Sequence, residues 1–290
     1  MSPQPQCVWT LGAELGEGPL WSAREGALWF VDIKQSRVHR FVPHSGEERS
    51  WDAPAPPGFI ARHADGGFIV GLKTGLHNFD PPTGEFTRRH EVEPHKPGNR
   101  LNDGCVDAEG HLWFGSMDDG EEVASGSLYK LTHDGPRAMD DGYVITNGPA
   151  FSPDGRTLYH TDTLERVIYA FDRSTDGAIS NKRVFALIED GAGYPDGPAV
   201  DSEGCLWTGL FGGWSARRYS PTGEFLTEVR FPCANVTKIA FAGADLRTAY
   251  ATTAWKGLDA QARAQQPLAG GLFRFMVDVP GLPQHEVRHG

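Results

Sequence analysis

Short stretches of alternating apolar and polar residues recur along the chain, each built around an aromatic residue and introduced by a Gly- or Asp-containing turn. The stretches are Ala27-Leu28-Trp29-Phe30-Val31-Asp32, Gly67-Phe68-Ile69-Val70-Gly71, His111-Leu112-Trp113-Phe114-Gly115, Thr157-Leu158-Tyr159-His160-Thr161-Asp162, Cys205-Leu206-Trp207-Thr208-Gly209 and Thr248-Ala249-Tyr250-Ala251-Thr252. Period-two alternation predicts half-buried strands. The central aromatics Trp29, Phe68, Trp113, Tyr159, Trp207 and Tyr250 are 39, 45, 46, 48 and 43 residues apart. That interval suits a four-stranded propeller blade of roughly 40–50 residues. A further strand follows each aromatic one, as in Arg37-Val38-His39-Arg40-Phe41 and Val167-Ile168-Tyr169-Ala170-Phe171. Turns such as Pro82-Thr83-Gly84-Glu85 then lead to a more polar strand, as expected of a guarded outer edge. The pattern predicts an all-β chain: a six-bladed β-propeller of four-stranded antiparallel blades, with residues 1–290 forming one domain around a central channel. Residues 7–11 are expected to close the ring by pairing into the last blade. Period-two alternation excludes a helical solenoid. A sandwich leaves the repeated unit unexplained.

Composition narrows the partners. The chain of 290 residues carries a formal net charge of −11 and no basic run, which argues against nucleic-acid binding and against an anionic membrane surface. No apolar stretch approaches the roughly 18 residues of a membrane span. The start, Met1-Ser2-Pro3-Gln4-Pro5-Gln6, lacks the pattern of a signal peptide. Cys7, Cys105, Cys205 and Cys233 show no paired spacing and read as free thiols of a cytoplasmic protein.

A second pattern overlies the first. Oxygen-bearing side chains stand beside turns just ahead of apolar runs in Gly16-Glu17-Gly18-Pro19, Leu101-Asn102-Asp103-Gly104, Thr146-Asn147-Gly148-Pro149 and Pro195-Asp196-Gly197-Pro198. Glu17, Asn102, Asn147 and Asp196 precede their central aromatics by 12, 11, 12 and 11 residues. Equal offsets place them at one height on the strands that line the channel, where the other two repeats offer Pro57-Gly58-Phe59-Ile60 and Asn235-Val236-Thr237-Lys238. Taken singly, each is an ordinary turn former. As a matched set they suit metal or substrate binding: two carboxylates and two amides favour Ca²⁺, Mg²⁺ or Mn²⁺ and tolerate Fe²⁺ or Zn²⁺. Asp65-Gly66, Asp154-Gly155 and Asp176-Gly177 read as plain turns.

At these residues the chain resembles the senescence-marker-protein, gluconolactonase and luciferin-regenerating-enzyme-like family, which includes regucalcin. The matching stretches are LGEGPLW (15–21), NRLNDGCVDAEGHLWFGSM (99–117), TNGPAFSPDGRTLYHTDT (146–163), FDRSTDG (171–177) and YPDGPAVDSEGCLW (194–207). WFVDIKQ (29–35), SNKRVF (180–185) and PLAGGLF (267–273) are similar to bacterial sugar-acid lactonases such as xylonolactonase. The resemblance implies a metal-dependent hydrolase that opens an aldonolactone, of five or six carbons, to the free acid. It implies Glu17, Asn147 and Asp196 as ligands of one divalent ion, and Asp196 also as general acid/base. It implies Arg100 and Asn102 as substrate contacts, with Asp103 adjacent, and an acidic contact in the loop 116–122, assigned to Glu121. Residues 118–125 read either as a lid over the mouth or as an ordinary loop.

The expected partner is therefore a small sugar lactone, bound by a monomer. Competing readings are an arylesterase or phosphotriesterase, since a channel metal also polarises P=O, and a non-enzymatic calcium-binding propeller. A Ser-His-Asp hydrolase finds no GxSxG elbow. His160, inside a strand, reads as packed, and His63 lies in a short loop from which a place near the channel remains open.

Overall fold

The structure, a computed structural model, describes residues 4–289; Met1–Pro3, part of the segment read for a leader, and Gly290 lie outside the described residues. Among the described residues one short helix, Ala260–Gln265, accompanies 24 strands, and no helix is long and apolar enough to cross a membrane. The aromatic-centred stretches are all strands, and each pairs with an inner strand before it in sequence: Gly16–Ser22, Pro57–Arg62, Asn99–Val106, Thr146–Phe151, Tyr194–Val200 and Asn235–Ala242. These inner strands touch one another in a closed cycle about the axis. Outer strands such as Glu47–Asp52 and Ile179–Leu187 are mostly exposed.

The architecture is propeller-like, with one correction. Four free-standing four-stranded sheets are present, not six; the remaining strands form a single eight-stranded sheet. The join is one parallel pairing of inner strands, Gly197 with Lys238. Gly197 has no side chain, and a Cβ there would lie 2.6 Å from Cδ of Lys238, so a larger residue would force the lysine stem aside. Gln6–Trp9 pairs with the last strand, Leu272–Met276, as expected, although it stops at Trp9 rather than Leu11. Trp9 anchors it edge-on against Phe30 and His39, with ring centroids 5.5 Å apart in both cases.

The repeated indoles are held by acids in the turn ahead of their strand. Asp107 accepts from the His111 amide at 2.8 Å and the Trp113 indole at 2.9 Å. Asp201 does the same for the Cys205 amide at 3.0 Å and the Trp207 indole at 3.1 Å. Arg173 and Arg218 neutralise these two buried acids at 2.8 Å. The buried indole N–H groups and the acids that hold them are thus satisfied where the blade's largest side chain enters the core. The four cysteines are free.

His160 is fully buried, edge-on to Tyr143, and neither ring nitrogen has a hydrogen-bond partner. It is a packed core residue. Burial drives its pKa down to about 3, whereas the unfolded chain titrates it near 6.5. Above pH 6.5 both states are neutral and the group contributes nothing to pH dependence. As pH falls below that value only the unfolded state gains a proton, so stability is lost between about 6.5 and 3. At pH 5 this single residue is expected to account for about 2 kcal/mol of destabilisation. His160→Leu should shrink the difference in urea-unfolding free energy between pH 7.5 and pH 5 by about that amount; an unchanged difference would show that the imidazole is accessible to protons in the fold.

Candidate active site

All of the inner strands carry a β-bulge at corresponding positions. The register slips between Glu17 and Leu20, Pro57 and Phe59, Leu101 and Gly104, Asn147 and Ala150, Pro195 and Pro198, and Val236 and Ile239. A bulge breaks strict alternation and re-aims a side chain. Here it allows polar residues to leave the sheet plane where the inner strands meet, and the residues matched by their offsets lie within or beside these bulges.

The Glu17 and Asp196 carboxyl groups are buried within hydrogen-bonding reach of one another. Burial, then the charges of Asp196 and Asp103, raises the Glu17 pKa well above the carboxylate range; burial, then the Asp103 charge, raises that of Asp196. Glu17 receives one backbone donor, Gly18 N at 3.1 Å, while Asp196 Oδ1 has no partner in the protein. Asn147 stands beside them, bound through Thr163. Its Nδ2 donates to Thr163 Oγ1 at 2.9 Å, and that hydroxyl donates to the Pro195 carbonyl at 3.0 Å, next to Asp196. A buried, donor-poor carboxylate pair with an adjacent amide is a donor set that fits a hard or borderline divalent cation.

The predicted substrate contacts continue the same network. Asn102 Nδ2 donates to Asn147 Oδ1 at 3.0 Å and to the Thr146 carbonyl at 2.6 Å, and Arg100 Nη1 donates to Asn102 Oδ1 at 2.5 Å. Arg100 is buried, not a surface ion pair, and close enough to Glu17 for their charges to interact. Glu121 lies towards the mouth, paired with Lys256. Asp103 differs in being fully engaged: Oδ1 accepts from Lys238 Nζ at 2.6 Å and Gly104 N at 2.8 Å, and Oδ2 from Gly148 N at 2.9 Å.

Segment 118–125 is tied across the mouth. Asp119 receives Lys34 at 2.9 Å, Lys73 at 3.0 Å and Arg100 at 3.1 Å. Burial alone would raise its pKa, but these three cations draw it down to about 2. Asp118 accepts the Glu122 and Val123 amides at 2.9 and 3.1 Å. This is the geometry of a fixed strap. His63 pairs through its backbone with Val287.

Three features beyond the predicted set belong to the site: Thr163, Lys238 and the Asp119 cluster. Lys238 was signalled by the sixth repeat's NVTK segment, which fills the same height as Asp196. Below the bulges the axis widens into a cavity of about 300 Å³. Its lining is mainly apolar, with Leu282–His285 across its lower end, and Lys238 reaches it from above. The cavity is separate from the carboxylate pair, so the polar chemistry sits above it. A tight group of Asp107, Glu109 and His111 also lies outside the site. Its acids already serve Trp113 and Arg173, which makes it an ion-pair network within the fold.

Comparison with known proteins agrees across the chain. A model of the SMP-30/Gluconolactonase/LRE-like region matches residues 15–255. The 6-deoxy-6-sulfogluconolactonase of Pseudomonas putida is 35% identical over 283 residues, covering 97% of each chain. The L-arabinolactonase of Azospirillum brasilense is 38% identical over 264 residues, covering 89% of this chain and 87% of its own. Among solved structures, the calcium-binding protein regucalcin from Agrobacterium tumefaciens superposes with a TM-score of 0.94 at 28% identity, covering 99% of this chain and 97% of that one.

Like-charge crowding at Glu17 and Asp196 carries a consequence for stability. In chelator at pH 8, Asp196→Asn is expected to raise the urea-unfolding free energy by roughly 1–3 kcal/mol, because an isosteric neutral group relieves the pair. A lower value would show that the aspartate is held by favourable contacts in the cation-free protein.

Proposed function

The chain belongs to the SMP-30/Gluconolactonase/LRE-like family, and from that premise we propose that it is a hydrolase that opens a sugar-acid lactone to the free aldonic acid. Residues 1–290 are read as one propeller domain in which the eight-stranded sheet counts as two blades, giving six stations about the axis. The enzyme is proposed to act as a monomer. The observation that carries the reading is the buried Glu17–Asp196 pair beside Asn147, bordered by Arg100 and Asn102.

Glu17, Asn147 and Asp196 would hold one divalent cation, which supplies Lewis-acid chemistry at the lactone carbonyl. Oxygen donors of this kind accept Ca²⁺, Mg²⁺, Mn²⁺, Zn²⁺ or Fe²⁺. The remaining chemistry falls to the chain. Hydrolysis forms a bond from water oxygen to the carbonyl carbon, breaks the ring C–O bond and moves one proton from the water to the ring oxygen. Asp196 is the proposed proton carrier: Oδ1 has no competing donor, and burial makes the group more basic than a surface aspartate. It takes the proton from water and returns it to the departing ring oxygen.

Arg100 and Asn102 would orient the sugar ring by hydrogen bonds to its hydroxyl groups, with the guanidinium held by Asp119 and the Asn102 amide by Thr146. Glu121 offers a further acceptor at the mouth. Asp103, saturated by Lys238 and two amides, would act on the substrate through the shape and charge of the site. The mainly polar mouth favours a hydroxylated substrate.

The test is a pH-stat panel of pentono- and hexonolactones against chelated enzyme, with cations restored one at a time. Lactone opening is expected to depend on the added cation. Asp196→Asn and Asn147→Ala should each lower kcat/KM at least about 100-fold with an unchanged far-UV circular dichroism spectrum. Full activity of Asp196→Asn in chelator would contradict the mechanism. Hydrolysis of an aryl phosphotriester but of no lactone would contradict the substrate class.

A further inference from the structure

Three buried carboxylates converge on the axis, not two. Glu17, Asp196 and Asp103 are close enough for the Asp103 charge to act on both of the others. The protein sorts them by donors. Asp103 has three, from Lys238 Nζ, Gly104 N and Gly148 N. Glu17 has the Gly18 amide and Asp196 the Gly197 amide, which leaves Asp196 Oδ1 without a partner. Two of the Asp103 donors are backbone amides; the only charged one is Lys238, whose partner Asp103 lies 135 residues away in the chain. Its stem runs along Gly197, where any Cβ would meet it at 2.6 Å, and its ammonium reaches Asp103 at 2.6 Å. The contact that fuses the two halves of the eight-stranded sheet also aims this lysine.

We propose that Lys238 sets how tightly the axial site binds a divalent cation, and which one, by holding the Asp103 carboxylate and its charge out of the coordination set. Lys238 is thus a positioning residue, acting through Asp103. The inference rests on the reading of Glu17, Asn147 and Asp196 as the cation site. With the ammonium in place, the three ionised acids and the lysine sum to −2, matching one divalent ion. Without it, the charge is −3 and Asp103 Oδ1 becomes available as a further anionic oxygen. Ca²⁺ takes six to eight oxygens and gains affinity with the number of charged ligands. Smaller transition-metal ions select more by geometry and ligand type. Loss of the ammonium should therefore favour Ca²⁺ over Mn²⁺.

Isothermal titration of chelator-stripped protein with Ca²⁺ and with Mn²⁺ tests this on wild type, Lys238→Met, Asp103→Asn and the double variant. Lys238→Gln, whose stem also fits along Gly197, serves if the methionine variant does not fold. Lys238→Met or Lys238→Gln is expected to bind Ca²⁺ about tenfold more tightly than wild type, with a smaller gain for Mn²⁺. The double variant should return close to wild type. Ca²⁺ affinity unchanged or weakened in the lysine variants, or tightened equally without the Asp103 carboxylate, would overturn the assignment. If wild type itself takes up neither ion, the cation site fails and this inference with it. If wild type binds and the variants do not differ from it, only the role of Lys238 fails.

Discussion

Two carboxylates pressed together out of water, Glu17 and Asp196, are the constraint that the rest of the site answers to. Burial and nearby negative charge, that of Asp103 included, both oppose ionisation there. The fold tolerates the arrangement because each acid sits on a rigid inner strand, at a bulge, with neighbouring strands fixed by their own sheets. Asn147 and Asn102 bring amides from two further inner strands, and Lys238 brings a buried cation from another. Sequence segments far apart thereby supply one oxygen-rich chamber. An arrangement unfavourable for an empty protein is favourable for one that holds a cation, and structural strain of this kind is a mark of a functional site.

The remaining polar network reads as support for that chamber. Arg100 links it to the mouth through Asn102, and Asp119 holds Arg100 together with Lys34 and Lys73. Those two lysines come from turns of neighbouring sheets, so one carboxylate fixes the rim at several points. On the other side of the bulges the axis is mainly apolar, lined by residues such as Leu20, Ile60, Ala150 and Val200. The boundary between polar and apolar halves falls at Lys238, whose stem faces one and whose ammonium faces the other.

Part of this arrangement is legible in the sequence. Strand positions followed from period-two alternation, and the height of Glu17, Asn102, Asn147 and Asp196 followed from equal offsets to the aromatic at the centre of each repeat. Offsets of that kind are reliable because a strand rises by a fixed amount per residue. The role of Lys238 was not legible, because its partner Asp103 is remote in sequence and nothing local marks the pairing. The same holds for Asp119, whose three cations come from separate segments. The merging of two sheets escaped too: it depends on a single close approach at Gly197, and that glycine also fits a simple turn. The indole-binding roles of Asp107 and Asp201 hide within turns that would form without them. Their signal is the spacing of six residues to Trp113 and Trp207.

The central claim is that the convergent oxygens of Glu17, Asn147 and Asp196 hold one divalent ion. The most direct measurement is anomalous diffraction from crystals soaked in Mn²⁺. A single strong anomalous peak on the axis, bounded by those three side chains, is the predicted result. A peak instead among Asp107, Glu109 and His111, or no peak on the axis at saturating Mn²⁺, would contradict the account.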